Sequence, residues 1–176
     1  MGQGNFVAAA EALDESLHTV QHPPSSRWMT WRYSTHCYSS LGQLALLRGD
    51  ADGARRFADR CLEIATPTAA RTFESAAWRI KGESATARRA WTEAEDSMQR
   101  ALSIADAIAE PRQIWLTRLA LGRLDAALGR KDEARAHYRA ALDVIQAVRA
   151  RVRDSGLRAG LEGMPLVREL EGLTRD

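Results

Sequence analysis

PRQIWLTRLALGRLDAALGRKDEARAHYRAALDVI, Pro111–Ile145, is the stretch on which the fold turns. It is rich in Ala, Leu and Arg, lacks strand alternation, and breaks once, at Gly129. That is the pattern of two helices joined by a turn, with glycine supplying the left-handed residue that ends the first. Its landmarks recur upstream. Gly42, Gly82 and Gly122 lie 40 residues apart, as do Ala54, Ala94 and Ala134, and Leu62, Leu102 and Leu142. A fixed period of this length marks one helical unit stacked on copies of itself. The expected fold is therefore all-α, a right-handed α-α superhelix of about three helix pairs.

The shared positions have a packing logic. Glycine inside a helix costs about 1 kcal/mol against alanine. Close approach of the paired helix would offset that cost at Gly42, Gly82 and Gly122. Ala54, Ala94 and Ala134 are the small partners, and Leu62, Leu102 and Leu142 fill the layer against the next copy. Gly49 should end the first helix of the first copy as Gly129 does in the third. The second copy has Arg89 there, so its turn needs another solution; Thr92 followed by Glu95 could open its second helix with a capping box.

The ends depart from the period. Gly4, Ala9 and Leu17 repeat the spacing of Gly49, Ala54 and Leu62. Residues 1–22 therefore read as the second helix of a truncated repeat, followed by a linker from His22 to Ser26. Residues 23–152 hold three 40-residue repeats. Residues 153–176 read as capping helices, with Asp154 or Ser155 as an N-cap and Pro165 opening the last. Leu157, Leu161, Leu166, Val167 and Leu170 are expected to cover the final repeat. The helix at the N-terminus would lack its pair partner, which implies a piece of a longer polypeptide or a chain that self-associates.

These spacings resemble the tetratricopeptide repeat. The third copy carries Leu121, Gly122, Gly129, Ala134, Tyr138, Ala141 and Leu142. The second has Trp78, Gly82, Ala94, Met98, Ala101 and Leu102, with Lys81 in place of the usual leucine. The first has Tyr38, Leu41, Gly42, Gly49, Ala54 and Leu62, with Ala58 where a bulky residue is usual. The usual unit is shorter than 40 residues. The long form is similar to arrays at the C-terminal end of bacterial ATPase-coupled regulators and adenylate/guanylate cyclase-type signalling proteins. The resemblance implies a noncatalytic protein-protein interaction scaffold within such a protein; a standalone adaptor self-associating through its N-terminal helix is the alternative. It also implies a groove lined by the first helix of each pair, at Ser39, Gln43, Arg79, Glu83, Leu119 and Arg123. The Lys and Asn clamp that holds a terminal carboxylate in chaperone-binding members is absent from those positions.

Composition bounds the partners. The net charge is only +2, and all but Lys81 and Lys131 of the 25 basic residues are arginine. That is no footprint for nucleic acid. Arg149, Arg151, Arg153 and Arg158 form the one local basic concentration, which reads as a solvated helix end. No apolar run is long enough for a membrane span and the first residues lack a signal-peptide pattern, so the chain reads as cytoplasmic. His18 and His22 are four apart, yet Pro23 disfavours helix at His22 and no further ligand follows. Adjacent His36 and Cys37 point about 100° apart on a helix. No phosphate-binding glycine loop occurs. The chain reads as no enzyme, with no cofactor and no metal. The expected partners are a protein or peptide segment, other domains of a parent polypeptide, or a second copy of the chain.

Overall fold

The computed structural model describes residues 5–21 and 27–174. The proposed turn glycine Gly4 and the linker from His22 to Ser26 lie outside the described residues. Among those described the structure is entirely helical: α1 (Phe6–Gln21), α2 (Arg27–Leu47), α3 (Ala51–Ala65), α4 (Arg71–Ala87), α5 (Trp91–Ala107), α6 (Pro111–Ala127), α7 (Lys131–Arg151), α8 (Ser155–Glu162) and α9 (Pro165–Leu173). The chain divides into two compact units between Ile104 and Ala105.

The backbone repeats at 20 residues, half the period of the side chains. Gly49, Ala69, Arg89, Ala109 and Gly129 all have positive φ, between 49° and 78°. Each ends a helix, and the next residue donates its N–H back across the turn: Asp50 to Ala45, Ala70 to Ala65, Ala90 to Ala85, Glu110 to Ala105 and Arg130 to Asp125, at 2.8–3.1 Å. This is the paired-bond ending in which a left-handed residue satisfies carbonyls the helix leaves open. The second copy thus needs no special turn: Arg89 takes the glycine conformation. Nor does Thr92 cap α5. The helix already starts at Trp91, and the Ala94 N–H donates to Ala90. The sequence rule ties left-handed backbone to glycine, but the strain of an L-residue there, roughly 1–2 kcal/mol, is small enough for two helices to impose it.

The first unit packs α2, α3 and α4 around Tyr38, Ala45, Ala54, Ala58, Cys61, Ala77 and Ile80, with Leu17 of α1 against the same cluster. Asn5 caps α1 through the Ala8 N–H. Buried side-chain donors are tied to carbonyls of neighbouring helices, as burial requires. Ser75 donates to Ala101 at 2.8 Å and Ser84 to Ala51 at 2.7 Å.

In the second unit Trp115 and Leu119 of α6 and Ala134, Tyr138, Ala141 and Ile145 of α7 meet Val167 and Leu170 of α9. Pro165 opens α9 and Asp154 caps α8, accepting from the Leu157 N–H at 2.8 Å. The period ends here because α7 runs on to Arg151 with no left-handed residue at position 149. Cover of the last pair comes from α9 rather than α8. Leu157 is 67% exposed, and α8 buries no residue at all.

Candidate functional site

The six groove positions fall on the first helix of each pair: Ser39 and Gln43 on α2, Arg79 and Glu83 on α4, Leu119 and Arg123 on α6. The first four belong to one compact unit and the last two to the other. Their exposure differs from that of an open groove. Ser39, Arg79 and Leu119 are only 3–6% exposed. Gln43 and Glu83 are half-buried and Arg123 is exposed. In each pair the first position faces helix packing and the residue four further on reaches the surface. Leu119 is a member of the apolar cluster of its unit. Arg79 is bonded to Glu83, Nη1 to Oε2 at 2.6 Å, one turn along the same helix. A buried charge needs such a partner, and this arginine spends its guanidinium on the fold. Ser39, Arg79 and Leu119 are therefore corrected to interior positions. Register along a helix shows which side chains share a face, but how deep a neighbour covers that face depends on long-range packing.

The repeat-packing positions lie at helix crossings. A Cβ on Gly42 would sit 3.0 Å from Ile80 Cγ2 and 3.6 Å from the Ala54 carbonyl. On Gly82 it would lie 2.6 Å from Met98 Cγ and 3.2 Å from the Ala94 carbonyl. On Gly122 it would fall against the Tyr138 ring. Ala54, Ala94 and Ala134 are buried, as is Leu102; Leu62 and Leu142 are partly covered at cluster edges.

The titratable groups that could carry chemistry are quiet. Burial pushes the Cys61 thiol up to about 12, and its Sγ donates to the Thr35 carbonyl. Cys37 is shifted upward for the same reason. Such thiols are protonated at neutral pH and poor nucleophiles. His137 stands 3.5 Å from Asp125, and burial lowers its pKa despite that carboxylate. Among the described residues no three His, Cys, Asp or Glu side chains gather as a metal site requires, and no helix is long and apolar enough to cross a membrane. Of the C-terminal arginines, Arg149 pairs with Glu162 at 3.3 Å and Arg158 donates to the Val152 carbonyl at 2.8 Å.

One surface feature escaped the linear reading. Glu74 and Trp78 of α4 and Gln99, Arg100, Ser103 and Ile104 of α5 line an open groove of about 550 Å³. The Arg100 guanidinium lies 4.8 Å from the centre of the Trp78 ring. Trp78 and Arg100 are 22 residues apart, on different helices, so periodicity alone could not join them. The clue available in the sequence is that both positions have an aromatic and an arginine in the first copy too, Tyr38 and Arg60.

Comparison with known proteins follows the same lines. Residues 35–60 and 115–140 match the family described as Tetratricopeptide repeat. No curated protein matches the chain. The crystal structure of a de novo designed helical repeat protein is similar in fold, with a TM-score of 0.58 at 18% identity over 97% of this chain and 91% of that one. Matches at two places one helix-pair array apart, on a backbone that repeats at every turn between them, place the chain in the tetratricopeptide-repeat family.

Proposed function

We propose that the chain is a noncatalytic scaffold that holds a protein segment, and that it works as the repeat region of a larger bacterial signalling or transcription-regulatory protein. Tetratricopeptide repeats generally mediate protein-protein interaction and are typically noncatalytic. The observation that carries the reading is the array of short-turned helix pairs, which spends its sequence on stacking and leaves surface side chains free to vary. The partner is then a peptide segment or a neighbouring domain of the parent. Gln43, Glu83 and Arg123, the surface members of the three first-helix pairs, are the positions on that face that could touch it.

A second reading has an observation of its own. Val7 of α1 is 64% exposed and Leu47 of α2 is 58% exposed. The Arg48 guanidinium donates to the Phe6 carbonyl, which brings those two helix ends together. Apolar side chains in one exposed neighbourhood favour an adaptor that pairs with a second copy through α1. Light scattering across a concentration series separates the two. A monomer at high concentration supports the scaffold within a parent protein. A dimer that dissociates on Val7→Asp supports the adaptor and displaces the first reading.

A further inference from the structure

The groove between α4 and α5 has a counterpart at the same repeat position in the first copy, and the difference between them carries an inference. In the first copy Tyr38 is buried at 6% exposure, and Arg60 is bonded to Glu63, Nη1 to Oε2 at 2.6 Å, and to Tyr38. Glu63 neutralises the arginine, and no groove remains. Forty residues later Trp78 replaces Tyr38, Arg100 replaces Arg60, and Ser103 replaces Glu63. Trp78 is half-buried, and Gln99, Arg100 and Ser103 are exposed. Removal of that one carboxylate leaves Arg100 without an ion pair among the described residues. In the third copy Arg118, Ala140 and Asp143 stand at these positions, so neither the aromatic nor the second-helix arginine is kept.

The other charges around the indole are already spent. Lys81 Nζ lies 5.4 Å from the Trp78 ring centre but is held by Asp59 Oδ1 at 2.6 Å. Glu74, the one carboxylate lining the groove, is bonded to Arg71 at 2.7 Å. What remains is an unpaired planar guanidinium laid over an indole, the Gln99 amide and Ser103 hydroxyl one helical turn apart, and the apolar edge of Ile104. A guanidinium fork matches a carboxylate, and stacking on the indole fixes its plane in advance. Trp and Arg together are also the side chains most often found to dominate protein interfaces. The volume, about 550 Å³, admits several side chains rather than a single ion.

The geometry points to a docking site for an acidic peptide segment, with a carboxylate side chain on Arg100 and a neighbouring apolar side chain on Trp78 and Ile104. It rests on the reading of the chain as a binder of protein segments, and names a site and a ligand chemistry for it outside the first-helix face.

The test uses the full chain, labelled with nitrogen-15, and a capped pentapeptide alternating aspartate and leucine. The Trp78 indole N–H, identified through Trp78→Phe, and the Arg100 Nε–H should shift saturably, with Kd on the order of 0.1–1 mM. The same peptide with asparagine at each aspartate should bind at least tenfold more weakly. Ser103→Glu restores the carboxylate of the first copy on an exposed helix face, and should weaken the acidic peptide at least tenfold with an unchanged melting curve. Equal binding of the two peptides, or a Ser103→Glu variant that binds like the parent, overturns the site. Shifts confined to Gln43 and Glu83 overturn it as well, while leaving the scaffold reading intact. A ten-nucleotide oligothymidylate that moves the Trp78 and Arg100 signals at lower concentration than the peptide overturns the choice of ligand. Silence of both signals at millimolar peptide also removes the proposal, and the scaffold reading is then judged by light scattering alone.

Discussion

Glycine does two different jobs in this molecule, one at the helix crossings and one at the turns. At the crossings, a Cβ on Gly42, Gly82 or Gly122 would meet a neighbouring helix. At the turns, a Cβ on Gly49 or Gly129 would meet nothing within 4 Å, and the residue serves only its φ of 77° or 78°. The first job is about space and the second about angle. The protein treats them differently: all three crossings keep glycine, whereas three of five turns use alanine or arginine at the same left-handed φ. Overlap of atoms rises steeply and cannot be shared out. A dihedral penalty is bounded, and the helices on either side can impose it.

The largest effect should come from filling a crossing. Gly122→Leu drives a side chain into the ring of Tyr138, itself only 5% exposed. Overpacking of this kind should destabilise by about 3 kcal/mol in thermal or urea unfolding. The double variant Gly122→Leu with Tyr138→Ala should lose much less than the sum of the two single costs, because the two side chains compete for one space. Simple additivity would show that Gly122 does not answer to Tyr138, and the distinction between space and angle would collapse at that crossing.

Next in size is a turn. Gly129→Ala keeps all contacts and changes only the backbone preference, so it should cost about 1 kcal/mol. The reverse change belongs to the same test. Arg89→Gly relieves an L-residue at φ 59° on an exposed turn and should stabilise by about 0.5–1 kcal/mol, net of the extra freedom glycine gives the unfolded chain. Unfolding curves that rank Gly129→Ala as costlier than Gly122→Leu would invert the comparison.

The same contrast explains what could be read from the sequence. The crossings were legible because a glycine in mid-helix needs a reason, and three at one spacing need a shared one. The turns at Gly49 and Gly129 were legible through glycine. Those at Ala69, Arg89 and Ala109 were not, because a tolerated strain leaves no mark in residue type. The 20-residue rhythm of the backbone therefore appeared only in the structure. The surface was the least legible. Ser39, Arg79 and Leu119 have the register of a groove and the burial of a core. Leu157 has the composition of a cap and stands in solvent. Each depends on what another segment does many residues away, which periodicity along one helix does not encode. The Trp78–Arg100 contact is a further instance, since it exists only where two helices meet.

The smallest expected effect concerns a glycine with neither job. Gly160 lies inside α8, where a Cβ would meet nothing within 4 Å and φ is not positive. Substitution by alanine there fills no space and strains no angle; it only removes glycine's conformational cost in a helix, up to about 1 kcal/mol. Because α8 buries no residue, its opening is local and need not report on the core. Gly160→Ala should therefore leave the global unfolding midpoint within about 0.5 kcal/mol of the parent. The gain should appear instead as slower amide hydrogen exchange across Ser155–Glu162, by roughly two- to fivefold. The readout must be local, since a melting curve averages over helices that the substitution never touches. Faster exchange, or a loss of global stability, would mean that Gly160 carries a packing or backbone duty after all. The division of glycines by what their Cβ would meet would then be the wrong division for this chain.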